Sequence, residues 1–203
     1  YDHFAPGGKK VSGEQRPGAF FNSLPCYVRI ESEVEAELQE EQVYVELTRE
    51  QRKAYNELEE KMVTWIQERP VVIEFPIALR IRLRQATLGM FSLTDDDVIT
   101  FDDDCKSSKI DVMFDILEDD FENEPTLILT DSRKFANVVV NRLRNDGKTA
   151  MAWHGEVTGD KREQAKQAFV SGSCKYLVAV ISAIAEGVDG LQYGSRNILW
   201  LNR

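Results

Sequence analysis

Long apolar runs are missing from this sequence. The longest, such as Leu177 to Ile181, fall far short of the ~20 residues that a membrane-crossing helix needs, and the first residues hold no apolar core of a signal peptide. A soluble, cytoplasmic protein is expected. Cysteine is scarce as well: Cys26, Cys105 and Cys174 are odd in number, far apart and without clustered histidines. That pattern argues against a disulfide framework and a zinc site and favours free thiols. No Gly-x-x-x-x-Gly-Lys-Ser/Thr phosphate loop occurs, which opposes a free-standing nucleotide-binding enzyme. No methionine begins the chain, and Ala5-Pro-Gly-Gly-Lys-Lys10 reads as the tail of something preceding it, so an excised fragment is expected.

Basic charge is in deficit too. The formal net charge is -10, whereas affinity for a phosphate backbone comes largely from lysine and arginine displacing counterions. The acids are unevenly placed, however. They gather in Glu31 to Glu41, Asp95 to Asp104 and Glu118 to Glu124, while Arg133 to Lys175 holds nine lysines and arginines. One face of an acidic protein is thereby free to be basic.

At 203 residues and 42% hydrophobic, the chain is long enough for one full domain and an appendage. Alternation from Val43 to Leu47 predicts a half-buried strand. Thr48-Arg-Glu-Gln51 is a capping box, and Tyr55, Leu58, Met62, Trp65 and Ile66 extend a helical apolar face to the stop at Arg69-Pro70. A second helix is expected from Ile77 to about Ala86. The acidic segment Thr94 to Lys106 reads as a solvated loop, without the ligand spacing of a hard-cation site. From Ser107 onward helices alternate with short apolar runs. A helix carrying Ile110, Met113, Phe114 and Leu117 precedes the run Thr126 to Thr130. A helix Ser132 to Asn145 follows, stopped by Gly147, and then a strand Thr149 to Trp153. Asp160 is expected to cap a helix ending at Gly172, and two runs complete the series, Tyr176 to Ile181 and Asn197 to Leu201. Such runs imply strands buried on both faces of a parallel sheet, an α/β fold whose ligands meet the loops after Thr130, Trp153 and Ile181.

Those loops resemble the motifs of the second RecA-like lobe of superfamily-two helicases. Leu127-Ile-Leu-Thr-Asp-Ser132 is similar to motif IV, Trp153-His-Gly155 followed by Asp160, Arg162 and Phe169 to the segment after it, and Ile181-Ser-Ala-Ile-Ala-Glu-Gly-Val-Asp189 to motif V. Tyr27-Val-Arg-Ile30, Glu33 to Leu38, Val43 to Tyr55, Leu83-Arg-Gln85 and Ser107-Ser-Lys109 resemble, in order, the Swi/Snf-type linker and its bracing elements. The resemblance implies an inter-lobe linker at 1–42, a helical protrusion with an acidic loop at 43–106 and a RecA-like lobe at 107–203. It implies one half of an ATP-dependent DNA helicase or translocase of bacterial or phage type. The DNA, duplex or branched, would meet Thr130, Ser132, Lys134, His154, Gly155 and Ser182. ATP and Mg2+ would be held mainly by a first RecA-like lobe, the partner that Gly187 and Asp189 would face. Two departures stand out: Ala185-Glu-Gly187 replaces the usual Ala-Gly-Gly, and the chain stops before the arginine-bearing Gln-x-x-Gly-Arg-x-x-Arg motif. The fragment alone is therefore expected to be inactive as an ATPase.

Ordinary structural roles compete with these. Thr130 and Ser132 suit helix capping, His154 suits a packed loop, and Arg162 is either a phosphate contact or a helical charge near Asp160 and Glu163. Trp65, Phe135, Trp153 and Phe169 fall on apolar faces and are expected in the core. The rival class is a non-catalytic acidic RecA-like or Rossmann-like protein-interaction module, favoured by the net charge.

Overall fold

The capping box forms as the sequence requires. Thr48 Oγ1 accepts the Gln51 amide at 3.2 Å and the Gln51 side chain accepts the Thr48 amide at 3.4 Å, opening helix α1, Arg49–Lys61. The computed structural model describes residues 39–66, 68–94, 98–185 and 188–202. The chain divides at Val43 into Tyr1–Val43 and Tyr44–Arg203, and every described helix and strand lies in the second unit. The linker motifs at 27–38 lie outside the described residues.

Two expectations fail near α1. Val43 to Leu47 forms no strand: Tyr44 is 91% exposed and no neighbouring strand pairs with the segment. The helix also stops early, with Met62 in the left-handed region at φ 54. Beyond it Val63–Ile66 (β1) pairs antiparallel with Arg69–Val72 (β2), Trp65 opposite Pro70. Val63, Thr64, Trp65 and Ile66 are β-branched or aromatic, so the pleated surface suits them better than a helix. The period changes to two: Thr64 and Ile66 are buried, whereas Trp65, expected in the core, is 62% exposed.

Pro76–Leu88 forms α2, as expected. The acidic segment is only partly a loop. Ser92–Leu93 (β3) pairs with Ile99–Thr100 (β4), and Ile99, Phe101 and Cys105 are buried. Asp102 accepts from Ser92 and Asp103 from Asn141, so these carboxylates serve as local acceptors. Asp95 to Asp97 lie outside the described residues, among which no group of acids, histidines and cysteines could hold a metal. Burial pushes the Cys105 thiol up to about 11, and Cys105 and Cys174 are both free and buried. Cys26 lies outside the described residues.

Next comes α3, Ser108–Asp115, continued by a π turn at Ile116–Asp120. Strands β5 (Thr126–Thr130), β6 (Ala150–Trp153), β7 (Tyr176–Val180) and β8 (Asn197–Trp200) alternate with α4 (Arg133–Asn145), α5 (Asp160–Val170) and the short α6 (Ile181–Ile184). The four strands form one parallel sheet in the order β6-β7-β5-β8. Successive residues serve opposite faces. Ile128, Val178 and Val180 pack with Met113, Phe135, Val139 and Leu143 on one side; Leu129, Leu177 and Ala179 meet Trp153, Ala165, Phe169 and Leu191 on the other. Each fully buried side chain of this kind contributes ~1.5–3 kcal/mol of hydrophobic stabilisation. The larger cluster runs from Leu58 on α1 to Leu201, so α1, α2 and the sheet share one core. β8 departs from burial on both faces, since Ile198 is 60% and Trp200 46% exposed at the sheet's edge.

Side-chain hydrogen bonds tie the first three helices together. Gln51, fully buried, donates to the Ala86 carbonyl at 2.9 Å and accepts the Ser108 amide at 3.4 Å, joining α1, α2 and α3. Ser107 caps α3 by accepting the Ile110 amide and donates to the Leu88 carbonyl. No helix among the described residues is long and apolar enough to cross a membrane.

Candidate nucleic-acid interface

Because β6, β7 and β5 run parallel and adjacent, their carboxyl ends deliver three loops to one edge. Neighbouring strands stand about 4.8 Å apart, so the three ends span roughly 10 Å.

At the end of β5, Thr130 is fully buried, and its hydroxyl accepts the Ser132 amide at 3.4 Å. It faces the protein rather than a ligand. Ser132 is half-buried and is the N-cap of α4, its Oγ accepting the Phe135 amide at 3.3 Å. The first turn of a helix leaves its amides without intrahelical acceptors and carries partial positive charge, so the groups beside Ser132 suit an anion. Lys134, placed with them by the sequence, sends its ammonium to the Ile99 carbonyl at 2.8 Å and ties α4 to the β3–β4 hairpin. Arg133, not foreseen, pairs with Glu156 at 2.6 Å, bridging the loops after β5 and β6.

At the end of β6, Trp153 is buried and its indole donates to the Ala183 carbonyl at 3.3 Å. His154 is 5% exposed. Its Nε2 meets Asn137 Oδ1 at 3.1 Å, and its buried Nδ1 has no partner. With Asn137 as acceptor the proton sits on Nε2, leaving Nδ1 a lone pair that offers nothing to a phosphate. Burial holds this imidazole below its ordinary value. Gly155 is exposed, with nothing near its Cα where a side chain would begin. Arg162 donates to the Val157 carbonyl at 3.1 Å and the His154 carbonyl at 3.4 Å, and its guanidinium lies 5.2 Å from the Trp153 ring centre. It braces this loop from α5. That helix is capped by Gly159 at φ 56, not by the Asp160 side chain, which falls in the first turn.

At the end of β7, Ser182 is exposed on α6, whose Ala183 carbonyl holds Trp153. Gly187 lies outside the described residues. Asp189 is exposed; Gln192 Nε2 donates to its Oδ1 at 3.0 Å, and this bond with the Gly190 amide keeps its carboxyl below the usual range. The edge thus presents Ser132, Gly155 and Ser182 to solvent, while Thr130 and His154 are internal. Two recesses, of about 240 and 370 Å3, are lined by other residues; the second opens at the amino ends of β6 and β7.

Besides Arg133, the sequence did not announce Asp131, which pairs with Arg84, or Asn202, which accepts the Asp131 amide. Both contacts are long-range, so periodicity carries no signal for them.

Residues 108–191 match the family described as "Helicase conserved C-terminal domain", a span that runs from α3 to the 3-10 turn at Leu191. Among solved structures, the chain is similar to the Sulfolobus solfataricus SWI2/SNF2 ATPase C-terminal domain. The identity is 20%, the match covers 79% of this chain and 70% of that one, and the TM-score is 0.56. A match to the Pyrococcus furiosus Hef helicase domain has 22% identity, 49% and 21% coverage and a TM-score of 0.41. One to S. cerevisiae Dbp5 bound to RNA and ADP BeF3 has 23% identity, 57% and 31% coverage and a TM-score of 0.35. The chain spans well under two thirds of these last two.

Proposed function

We propose, from the premise that residues 108–191 are a helicase conserved C-terminal domain on a RecA-like fold, that this chain serves as the second motor lobe of a Swi/Snf-type ATP-dependent DNA helicase or translocase. The observation that carries the reading is the placement of two accessible hydroxyls, Ser132 and Ser182, at the carboxyl ends of neighbouring strands, one of them on the amino end of α4. Phosphates present the same target at every step, so contacts to them suit a motor that tracks a strand without reading its sequence. Ser132, the α4 amides, the Gly155 backbone and Ser182 form the contact row. Thr130, His154, Arg162 and Lys134 position it.

The nucleotide belongs mainly to a first RecA-like lobe. Among the described residues there is no phosphate-cradling loop, and Asp189 is engaged with Gln192 and Gly190. Bound ATP and Mg2+ would supply the energy that closes and reopens the lobes. This chain's own part is to grip the backbone and hold the Asp189 turn toward that lobe.

Anisotropy of a labelled duplex, titrated with the chain over a series of salt concentrations, tests the reading. Affinity should fall linearly on a log–log plot and weaken in Ser182→Ala. Binding that ignores both salt and Ser182, or no binding at low salt, defeats it.

A further inference from the structure

Four elements converge beside the Ser132 turn. Arg84 comes from α2, Lys109 from the first turn of α3, Asp131 from the end of β5 and Asn202 from just past β8. Arg84 Nη2 lies 2.5 Å from Asp131 Oδ2, Lys109 Nζ donates to the Leu201 carbonyl at 2.7 Å, and the Asp131 amide donates to Asn202 Oδ1 at 3.2 Å. Donors outnumber acceptors here. The Leu201 carbonyl takes one of the three ammonium hydrogens of Lys109, and the amide nitrogen of Asn202, a residue only 6% exposed, has no partner. That nitrogen shares one planar amide with the oxygen bound to Asp131, so it lies within a few ångströms of the same turn. Burial lowers the Lys109 ammonium, the Asp131 charge opposes that shift, and Arg84 adds to it. Arg84 thus pairs with the one carboxylate, Lys109 feels its charge without bonding to it, and the buried Asn202 nitrogen has no acceptor. Native proteins rarely leave such a donor unpaired, and a place kept for an anion is one reason for it.

We propose that Arg84, Lys109 and Asn202 form an oxyanion site at the open ends of β5 and β8, closed by the Asp131 carboxylate in the free protein and opened when a nucleic-acid backbone phosphate takes that carboxylate's place. The choice of ligand rests on the motor-lobe reading; the site itself does not. A phosphate has more acceptor oxygens than a carboxylate and serves the Asn202 nitrogen as well as the two cations. The resident pair is easily displaced, because the Arg84 side chain is 59% exposed and exposed ion pairs are weak. Position also fits, since Asp131 directly precedes the N-cap of α4 and extends the contact row toward β8.

The whole chain is titrated with inorganic phosphate by calorimetry, then with a labelled duplex by anisotropy. Asp131→Asn removes the resident anion and should bind phosphate about tenfold more tightly. Glu118→Gln, which removes a carboxylate beside Lys148 near the amino ends of the strands, should not. Lys109→Met should abolish phosphate binding and Lys109→Arg should keep it. Arg84→Gln, at a side chain that is 59% exposed, should weaken it. Equal phosphate affinity in wild type, Asp131→Asn and Arg84→Gln overturns the site, and an equal gain in Glu118→Gln reduces it to net charge and overturns it too. If phosphate responds as expected but duplex affinity does not follow Asp131→Asn, the phosphate-for-carboxylate exchange on nucleic acid is refuted. If the duplex binds through Ser182 while phosphate ignores every variant, the motor-lobe reading survives and this site falls.

Discussion

Ser132→Asp separates capping from phosphate contact. As the N-cap of α4, Ser132 accepts the Phe135 amide, a task for which Asp ranks equal to Ser. A carboxylate at a helix amino end also gains about 0.3–1 kcal/mol from the macrodipole, reduced here by the neighbouring Asp131. Folding stability should therefore stay within about 0.5 kcal/mol of wild type. A phosphate roughly 5 Å away feels the reverse. Two unit charges at that distance repel by about 0.8 kcal/mol in water and about 3 kcal/mol at an effective dielectric constant of ~20. Duplex affinity should fall roughly fourfold to two-hundredfold, most at low salt. Ser132→Ala removes the cap and the hydroxyl contact together, and should lose about 1 kcal/mol of stability and roughly threefold in duplex affinity. Urea denaturation and anisotropy on the same preparations supply both axes. Wild-type duplex affinity in a folded Ser132→Asp would refute the assignment of a phosphate to the amino end of α4.

Gln51→Leu leaves the Ala86 carbonyl and the Ser108 amide without their partner, so it should lower the stability found by urea denaturation by ~2–5 kcal/mol; a loss under about 0.5 kcal/mol would mean that those groups reach water. His154 is held below 6.5, chiefly by burial, with Glu156 opposing and Arg133 adding. The unfolded chain therefore takes up this proton first, and stability should be full above about pH 6.5 and decline as pH falls from there toward the folded value. His154→Gln should remove that portion of the acid limb, and an unchanged limb would count against a buried neutral imidazole. Trp65→Ala should shift stability by no more than about 0.5 kcal/mol, whereas Trp153→Ala should cost ~3–5 kcal/mol; similar losses at both would contradict the hairpin.

The contrast between those two tryptophans shows what sequence carries. Trp153 ends a run that alternates with strong helices, and each neighbour independently requires the same sheet, so its burial was legible. Trp65 lies where helical and strand periods agree for several residues: Leu58, Met62, Trp65 and Ile66 satisfy one, Thr64 and Ile66 the other. The tie is broken by pairing with Arg69–Val72, a partner that the helical pattern does not announce. The same limit separates Ser132 from Thr130. Both follow an apolar strand and both bear a hydroxyl, but the turn at Asp131 directs one oxygen inward to the Ser132 amide and leaves the other at the helix end.

The acidic balance of the chain also acquires a spatial meaning. The two carboxylates on the loops after β5 and β6 stand against the two arginines beside them, Asp131 with Arg84 and Glu156 with Arg133. In the free protein these pairs keep the contact row close to neutral, so its net charge understates the cations that a polyanion meets once it competes with the internal acids. Neither pair is deeply buried, so under the proposed exchange a phosphate that takes over a guanidinium would release a carboxylate to solvent at little cost. An edge built this way favours a partner that presents several phosphates at once over a single free anion, because one displacement lowers the barrier to the next only when the ligand spans both loops.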